Sequence, residues 1–83
     1  MKVYFEPRLY QEEGQIVTPE NTLGVTFVNF SDANCFINGL PITPYGTWNP
    51  ETNRGEFDTT DYKLSFSSAV TSKNVYVILK LPR

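Results

Sequence analysis

Apolar and polar residues alternate along much of this chain, and nowhere do apolar residues recur at helical spacing for even three turns. Leu23, Val25 and Phe27 alternate with Gly24, Thr26 and Val28, which predicts a strand from about 23 to 30. Ser31-Asp32-Ala33-Asn34 reads as a turn, because Ser, Asp and Asn side chains bond their own backbone. Cys35-Phe36-Ile37 is a short strand. Asn38-Gly39 after it is a strong hairpin signal, since both residues tolerate positive φ. Leu40-Pro41-Ile42 returns from that turn. Pro41 cannot donate to a ladder, so the return lies at a sheet edge or is irregular. Pro44 to Pro50 reads as a loop holding Tyr45 and Trp48. Glu51 to Gly55 is a further turn region, and Glu56 to Asp58 a short strand. Tyr62, Leu64 and Phe66 alternate with Lys63 and Ser65 in another strand. Ser67 to Asn74 is a polar loop. Val75, Val77, Leu79 and Leu81 then alternate with Tyr76, Ile78 and Lys80 in the clearest strand, which Pro82 ends.

Turn signals at this spacing predict an all-β fold, a small antiparallel β-sandwich or partly open barrel. The expected core face is Leu23, Val25, Phe27, Ile37, Leu64, Phe66, Val75, Val77 and Leu79. Tyr76 and Ile78 sit on the opposite face of the last strand. A strand apolar on both faces is central to two layers or covered by a partner. A chain of 83 residues has little with which to build a second full layer, so a partner is the favoured reading.

Residues 1–22 differ from the 23–83 sandwich domain. Val3-Tyr4-Phe5 and Arg8-Leu9-Tyr10 are apolar-rich pieces split by Pro7, followed by the polar run Gln11 to Gln15 and the breaker Thr18-Pro19-Glu20-Asn21. This segment is a first strand or hairpin of the sandwich, or an arm that docks on a neighbouring chain by strand addition.

Composition sharpens the picture. A single domain of this length buries roughly 60–65% of the surface of its unfolded chain, so help from assembly is a reasonable expectation. Cys35 is the only cysteine and there is no histidine, which removes an internal disulfide and makes a four-ligand zinc site hard to build. The lone thiol and the absence of an apolar leader point to folding in a reducing cytosol. Net charge is −2, and Lys2, Arg8, Arg54, Lys63, Lys73, Lys80 and Arg83 are scattered. Nucleic-acid binding needs clustered cations and is disfavoured. No apolar run approaches the ~20 residues of a membrane helix.

The same inventory argues against catalysis. Without histidine there is no Ser-His or Cys-His pair. Cys35 reads as a small buried apolar residue. The five glycines are too dispersed to cradle a phosphate. Glu56, Asp58 and Asp61 could hold calcium or act as an acid/base pair, but their spacing fits no EF-hand loop. Asp58 with Thr59 or Thr60 more simply pins a turn before Tyr62. No catalytic residue, metal or cofactor is therefore expected. Tyr45 and Trp48 flank Gly46-Thr47; such aromatics can stack on sugar rings, cap the core or fill a pocket on a protein.

From about residue 23 to 81 the chain resembles small β-rich structural proteins of bacteriophages, notably those of Bacteroidetes hosts. The features are a strand ending Val28-Asn29, then Cys35-Phe36-Ile37-Asn38-Gly39-Leu40-Pro41-Ile42, like "V-x-I-N-G-x-P-L", and Pro44-Tyr45-Gly46-Thr47-Trp48, like "P-G-x-S-W/L". Gly55-Glu56-Phe57-Asp58-Thr59-Thr60 leads into Tyr62 to Phe66, like "G-E-x-D-x-T-x-Y-x-I-x-F", and Asn74 to Lys80 is like "N-x-x-V-I-x-K". Tyr45 before Gly46 and the N-terminal segment depart from that pattern. The resemblance implies a virion component, made in the bacterial cytoplasm: a capsid decoration, a head-fibre or spike base, or a vertex protein. Its partners would be other virion proteins and further copies of itself. The expected contact residues are Tyr4, Phe5, Leu9 and Tyr10 from the first segment, Tyr45 and Trp48 from the loop, and Tyr76 and Ile78 from the last strand. The alternative is a carbohydrate-binding module, with a surface glycan held by the Tyr45/Trp48 loop.

Overall fold

The computed structural model describes residues 2–50 and 61–83. Among them run β1 (Val3–Tyr10), β2 (Gly14–Ile16), β3 (Gly24–Asn29), β4 (Cys35–Ile37), β5 (Leu40–Ile42), β6 (Thr47–Trp48), β7 (Tyr62–Phe66) and β8 (Val75–Pro82). They form two antiparallel four-stranded sheets, ordered β1-β8-β3-β6 and β2-β7-β4-β5. The fold is all-β and sandwich-like, with no closed barrel. The chain crosses between sheets after β1, β2, β3, β5, β6 and β7. Among the described strands that follow one another in the chain, only β4 and β5 pair with each other.

That hairpin follows directly from its sequence. Asn38 (φ 51°) and Gly39 (φ 83°) both take positive φ, as the tight two-residue turn between Ile37 and Leu40 demands. The Asn38 side-chain oxygen accepts from the Lys63 N–H at 2.8 Å, and the Asn38 N–H donates to the Lys63 carbonyl at 2.9 Å, so the turn is also fastened to the start of β7. Pro41 lies opposite Phe36 on β5, a strand at the outer edge of its sheet, where a missing donor breaks no ladder.

The first segment departs from the expected split at Pro7. β1 runs unbroken through Pro7, which pairs with Ile78. Arg83 donates to the Lys2 carbonyl, so the even-numbered residues of β1 exchange bonds with β8 and the odd-numbered ones turn their backbone groups to the free edge. Pro7 therefore lacks a donor on the side where no described strand pairs with β1. β1 and β2 do not pair with each other but enter different sheets. β2 carries a single buried apolar side chain, Ile16, opposite Tyr62.

The core lies between the sheets. Val25, Phe27, Val75, Val77, Leu79 and Leu81 face Ile16, Cys35, Ile37, Ile42, Tyr62, Leu64 and Phe66, all buried. Burial of each large side chain contributes about 1.5–3 kcal/mol. Leu23, expected in this core, is only half-buried, because it precedes the first paired residue of β3. The loop expected from 44 to 50 contains the short strand β6, whose Thr47 and Trp48 pair with Val28 and Phe27. The expected turn at Glu51–Gly55 and strand at Glu56–Asp58 lie outside the described residues.

Cys35 has no exposed surface, and burial pushes its thiol pKa up to about 11. A thiolate is needed for reaction. An aromatic disulfide reagent at pH 8 should therefore leave Cys35 untouched in the folded protein and titrate one thiol per chain in denaturant, read by absorbance.

Candidate functional site

Strand pairing fixes which side chains share each outer face, because directly opposed residues point the same way and neighbours along a strand point opposite ways. On the β1-β8-β3-β6 sheet the residues facing away from the core are Val3, Phe5, Pro7 and Leu9, then Tyr76, Ile78, Lys80 and Pro82, then Gly24, Thr26 and Val28, with Thr47 at the edge. Lys80 is the single charged residue in that set. On the other sheet the outward positions are Gln15, Lys63, Ser65, Phe36 and Pro41. One outer face is therefore mostly apolar and the other mixed and largely polar. Phe5 is 64% exposed, Leu9 45% and Phe30, just past β3, 46%.

β1 reverses the usual arrangement. Its core-side positions are Tyr4, Glu6, Arg8 and Tyr10, opposite Leu81, Leu79, Val77 and Val75. Glu6 and Arg8 form an ion pair at 2.8 Å along this side, and that carboxylate raises the Arg8 pKa. Half-exposed as it is, the pair adds little stability. The greasy side of β1 is the one turned to solvent.

A buried asparagine organises the end of the sheet where β3 stops and β8 starts. Asn29, with no exposed surface, donates from its amide to the Ala33 carbonyl at 3.0 Å and the Ile42 carbonyl at 2.9 Å. Its side-chain oxygen accepts from the Ser31 N–H at 2.9 Å. Its backbone accepts from Tyr45 at 2.6 Å and donates to Gly46 at 3.0 Å. One residue thus ties the 31–33 bend, β5 and the 43–46 turn together. In that turn the Gly46 N–H closes onto the Thr43 carbonyl at 2.8 Å. Tyr45 occupies its third position at φ 63°, a place where glycine or asparagine is usual. Gly46 admits no larger residue, since a Cβ there would meet the Thr43 carbonyl oxygen at 2.9 Å.

The turn holds Tyr45 75% exposed. Its ring meets Phe30 edge-on at 6.0 Å, and Phe30 meets Tyr76 edge-on at 5.5 Å. Tyr76 stands between Leu9 and Val28 on the sheet. The aromatic row is therefore continuous with the apolar outer face.

The expected contact residues divide between two sides. Phe5, Leu9, Tyr76 and Ile78 share the outer face, and Tyr45 joins it through Phe30. Trp48 does not stand with Tyr45. It pairs with Phe27 on the core side, stacks on that ring at 5.6 Å and 19°, and meets Tyr62 edge-on at 6.3 Å. Tyr10 also packs against the core, and Tyr4 lies on the core side of β1, 40% exposed. Tyr45 and Trp48 thus present no common platform for a sugar ring. Of the three carboxylates weighed as a metal or acid/base set, Glu56 and Asp58 lie outside the described residues and Asp61 is exposed. The sequence reading missed Val3, Pro7, Val28 and Phe30. Val28 and Phe30 follow the same alternation as Thr26, and that phase was the available signal.

Next to this end, Asp32 accepts from the Thr71 hydroxyl, the Thr71 N–H at 2.9 Å and the Ser72 N–H at 3.1 Å. These bonds, the Thr71 hydroxyl foremost, hold its pKa at about 2 against an ordinary 3.8. In comparisons with known proteins, no family model, curated protein or solved structure matches this chain.

Two outcomes follow from these contacts. Asn29→Ala strands the buried Ile42 carbonyl and Ser31 N–H and the part-buried Ala33 carbonyl, and at about 1–3 kcal/mol for each buried group should lower the melting temperature by roughly ten degrees or more, read by circular dichroism. Asp32 has a depressed pKa, so its contribution is complete above 3.8 and fades as pH falls toward about 2. Asp32→Asn should melt below the parent at pH 6, and the gap should narrow steadily as pH falls from about 4 toward 2.

Proposed function

We propose that this chain is a non-enzymatic structural protein that acts by protein–protein assembly, its partner covering the outer face of the β1-β8-β3 sheet. The observation that carries this reading is the contrast between the two outer faces. One carries Val3, Phe5, Pro7, Leu9, Val28, Tyr76 and Ile78 with Thr26, Thr47 and one cation, the other Gln15, Lys63 and Ser65 with Phe36 and Pro41. Monomeric proteins rarely expose a contiguous apolar patch larger than a few hundred Å². Here the rings of Phe5, Phe30 and Tyr45, at 64%, 46% and 75% exposure, alone leave on the order of 400 Å² open, taking about 200 Å² for each.

The setting we propose is a phage virion, as a capsid decoration, a head-fibre or spike base, or a vertex component. The resemblance in the 23–81 turn and strand pattern supports this, and so does an uncovered face on so small a domain. A decoration protein is completed by its neighbours, so such a face is in place there.

The test is incorporation. Mass spectrometry of particles made from the genome that encodes this chain should find it in many copies. Ile78→Lys, which puts a charge in the middle of the outer face, should reduce its copy number at least about tenfold, the effect of losing about 1.4 kcal/mol of contact. Ser65→Lys on the opposite sheet should leave it unchanged. Particles that lack the chain would remove the virion setting, and equal incorporation of Ile78→Lys would remove the role given to this face.

A further inference from the structure

We infer that the occupant of the outer face is a second copy of this chain, packed sheet to sheet about a two-fold axis that brings the Tyr45 end of one copy onto the Lys80 end of the other. The inference rests on the proposed covering of this face by protein and names the protein.

The first argument is area. To the three open rings the face adds Leu9, 45% exposed, and Val3, Pro7, Val28, Tyr76 and Ile78, each at least partly open. Together they leave on the order of 600–800 Å², comparable with the ~800 Å² that each partner contributes to a standard stable interface.

The second argument is the mode of contact. Among the described residues no strand pairs with the outer side of β1; its backbone groups on that side belong to the odd-numbered residues, and Pro7 among them has no N–H. A proline in the middle of an edge opposes edge-to-edge pairing. The contact open to this surface is face to face, with sheets about 10 Å apart.

The third argument is complementarity along the strands. At one end Phe5, Lys80 and Gly24 lie side by side across three strands. A Cβ on Gly24 would touch only the Lys80 side chain, at 3.8 Å, so this position is a gap bordered by an aliphatic stem with a cation at its tip. At the other end stand Leu9, Tyr76 and Phe30 with the projecting Tyr45. A two-fold axis that exchanges the ends sets Tyr45 and Phe30 against the gap. It also places the Lys80 ammonium against aromatic faces, an attractive arrangement. The unexchanged arrangement sets Lys80 beside Lys80 in a desolvated contact. A net charge of −2 per chain adds little repulsion between copies.

The backbone at Tyr45 fits this role. A bulky residue at φ 63° is under strain that glycine would relieve. Yet the side chain held there is 75% exposed. A tyrosine held in a strained conformation and left open to solvent has the form of an interface anchor.

Sedimentation equilibrium of the full chain across a dilution series tests the inference. The parent should sediment at twice 9.5 kDa. Tyr45→Gly and Phe5→Lys should each raise the dissociation constant at least about tenfold, and Tyr45→Gly should melt no lower than the parent as a monomer. Ser65→Lys on the other sheet should leave the dimer intact. Phe5→Lys adds a charge at a site already open to solvent, so it reports even if Tyr45→Gly alters the turn. A parent that stays at 9.5 kDa at every concentration would overturn the second-copy inference. If that monomer still needs Ile78 to enter particles, the covered face stands with a different protein on it. A dimer that survives both outer-face changes would also overturn the inference.

Discussion

β8 carries apolar side chains on both of its faces, and a sandwich this small can cover only one of them. Val75, Val77, Leu79 and Leu81 are buried against the second sheet, while Tyr76, Ile78 and Pro82 point the other way. β8 is also the strand to which both β1 and β3 are bonded, so it cannot turn or slip to hide its second face. A one-residue shift would exchange the two sets and empty the core. Every other feature of the first sheet is arranged around that fixed strand. β1 brings Phe5, Pro7 and Leu9 to the side that is already uncovered, and β3 brings Val28 to it.

Asn29 determines how this face ends. Five hydrogen bonds from one buried residue hold the 31–33 bend, β5 and the 43–46 turn in one relation. A polar side chain at a core position is tolerated because both of its amide hydrogens and its oxygen are hydrogen-bonded. The consequence reaches the surface: the Tyr45 backbone is bonded to Asn29, so the Tyr45 ring is set against Phe30 and thereby extends the apolar row. Core, turn and candidate interface are linked through a single residue, which makes the position of Tyr45 a property of the fold and not of a loose loop.

Much of the architecture could be read directly from the chain. The strands at Cys35–Ile37, Leu40–Ile42 and Tyr62–Phe66 occur where alternation and Asn38-Gly39 place them, because each carries its own local signal. Three elements could not be read so. β1 continues through Pro7, which is possible only on an edge, and the edge position is decided by what pairs with it. β2 has one apolar residue, Ile16, and no alternation to reveal it. β6 is two residues long, and the side that Trp48 takes is set by its register with Phe27. That register separates Trp48 from Tyr45, although three residues apart they look like one aromatic loop.

By itself the sequence determined the all-β class, most of the strands, the period of the core and the excess of apolar residues on the last strand. These depend on local periodicity and turn chemistry, which neighbouring residues specify. The tertiary structure decided which apolar residues share the uncovered face and that Tyr45 belongs with them while Trp48 and Tyr10 turn to the core. Those outcomes depend on which distant strands pair and in what register, since one step of register moves a side chain from one face of a sheet to the other.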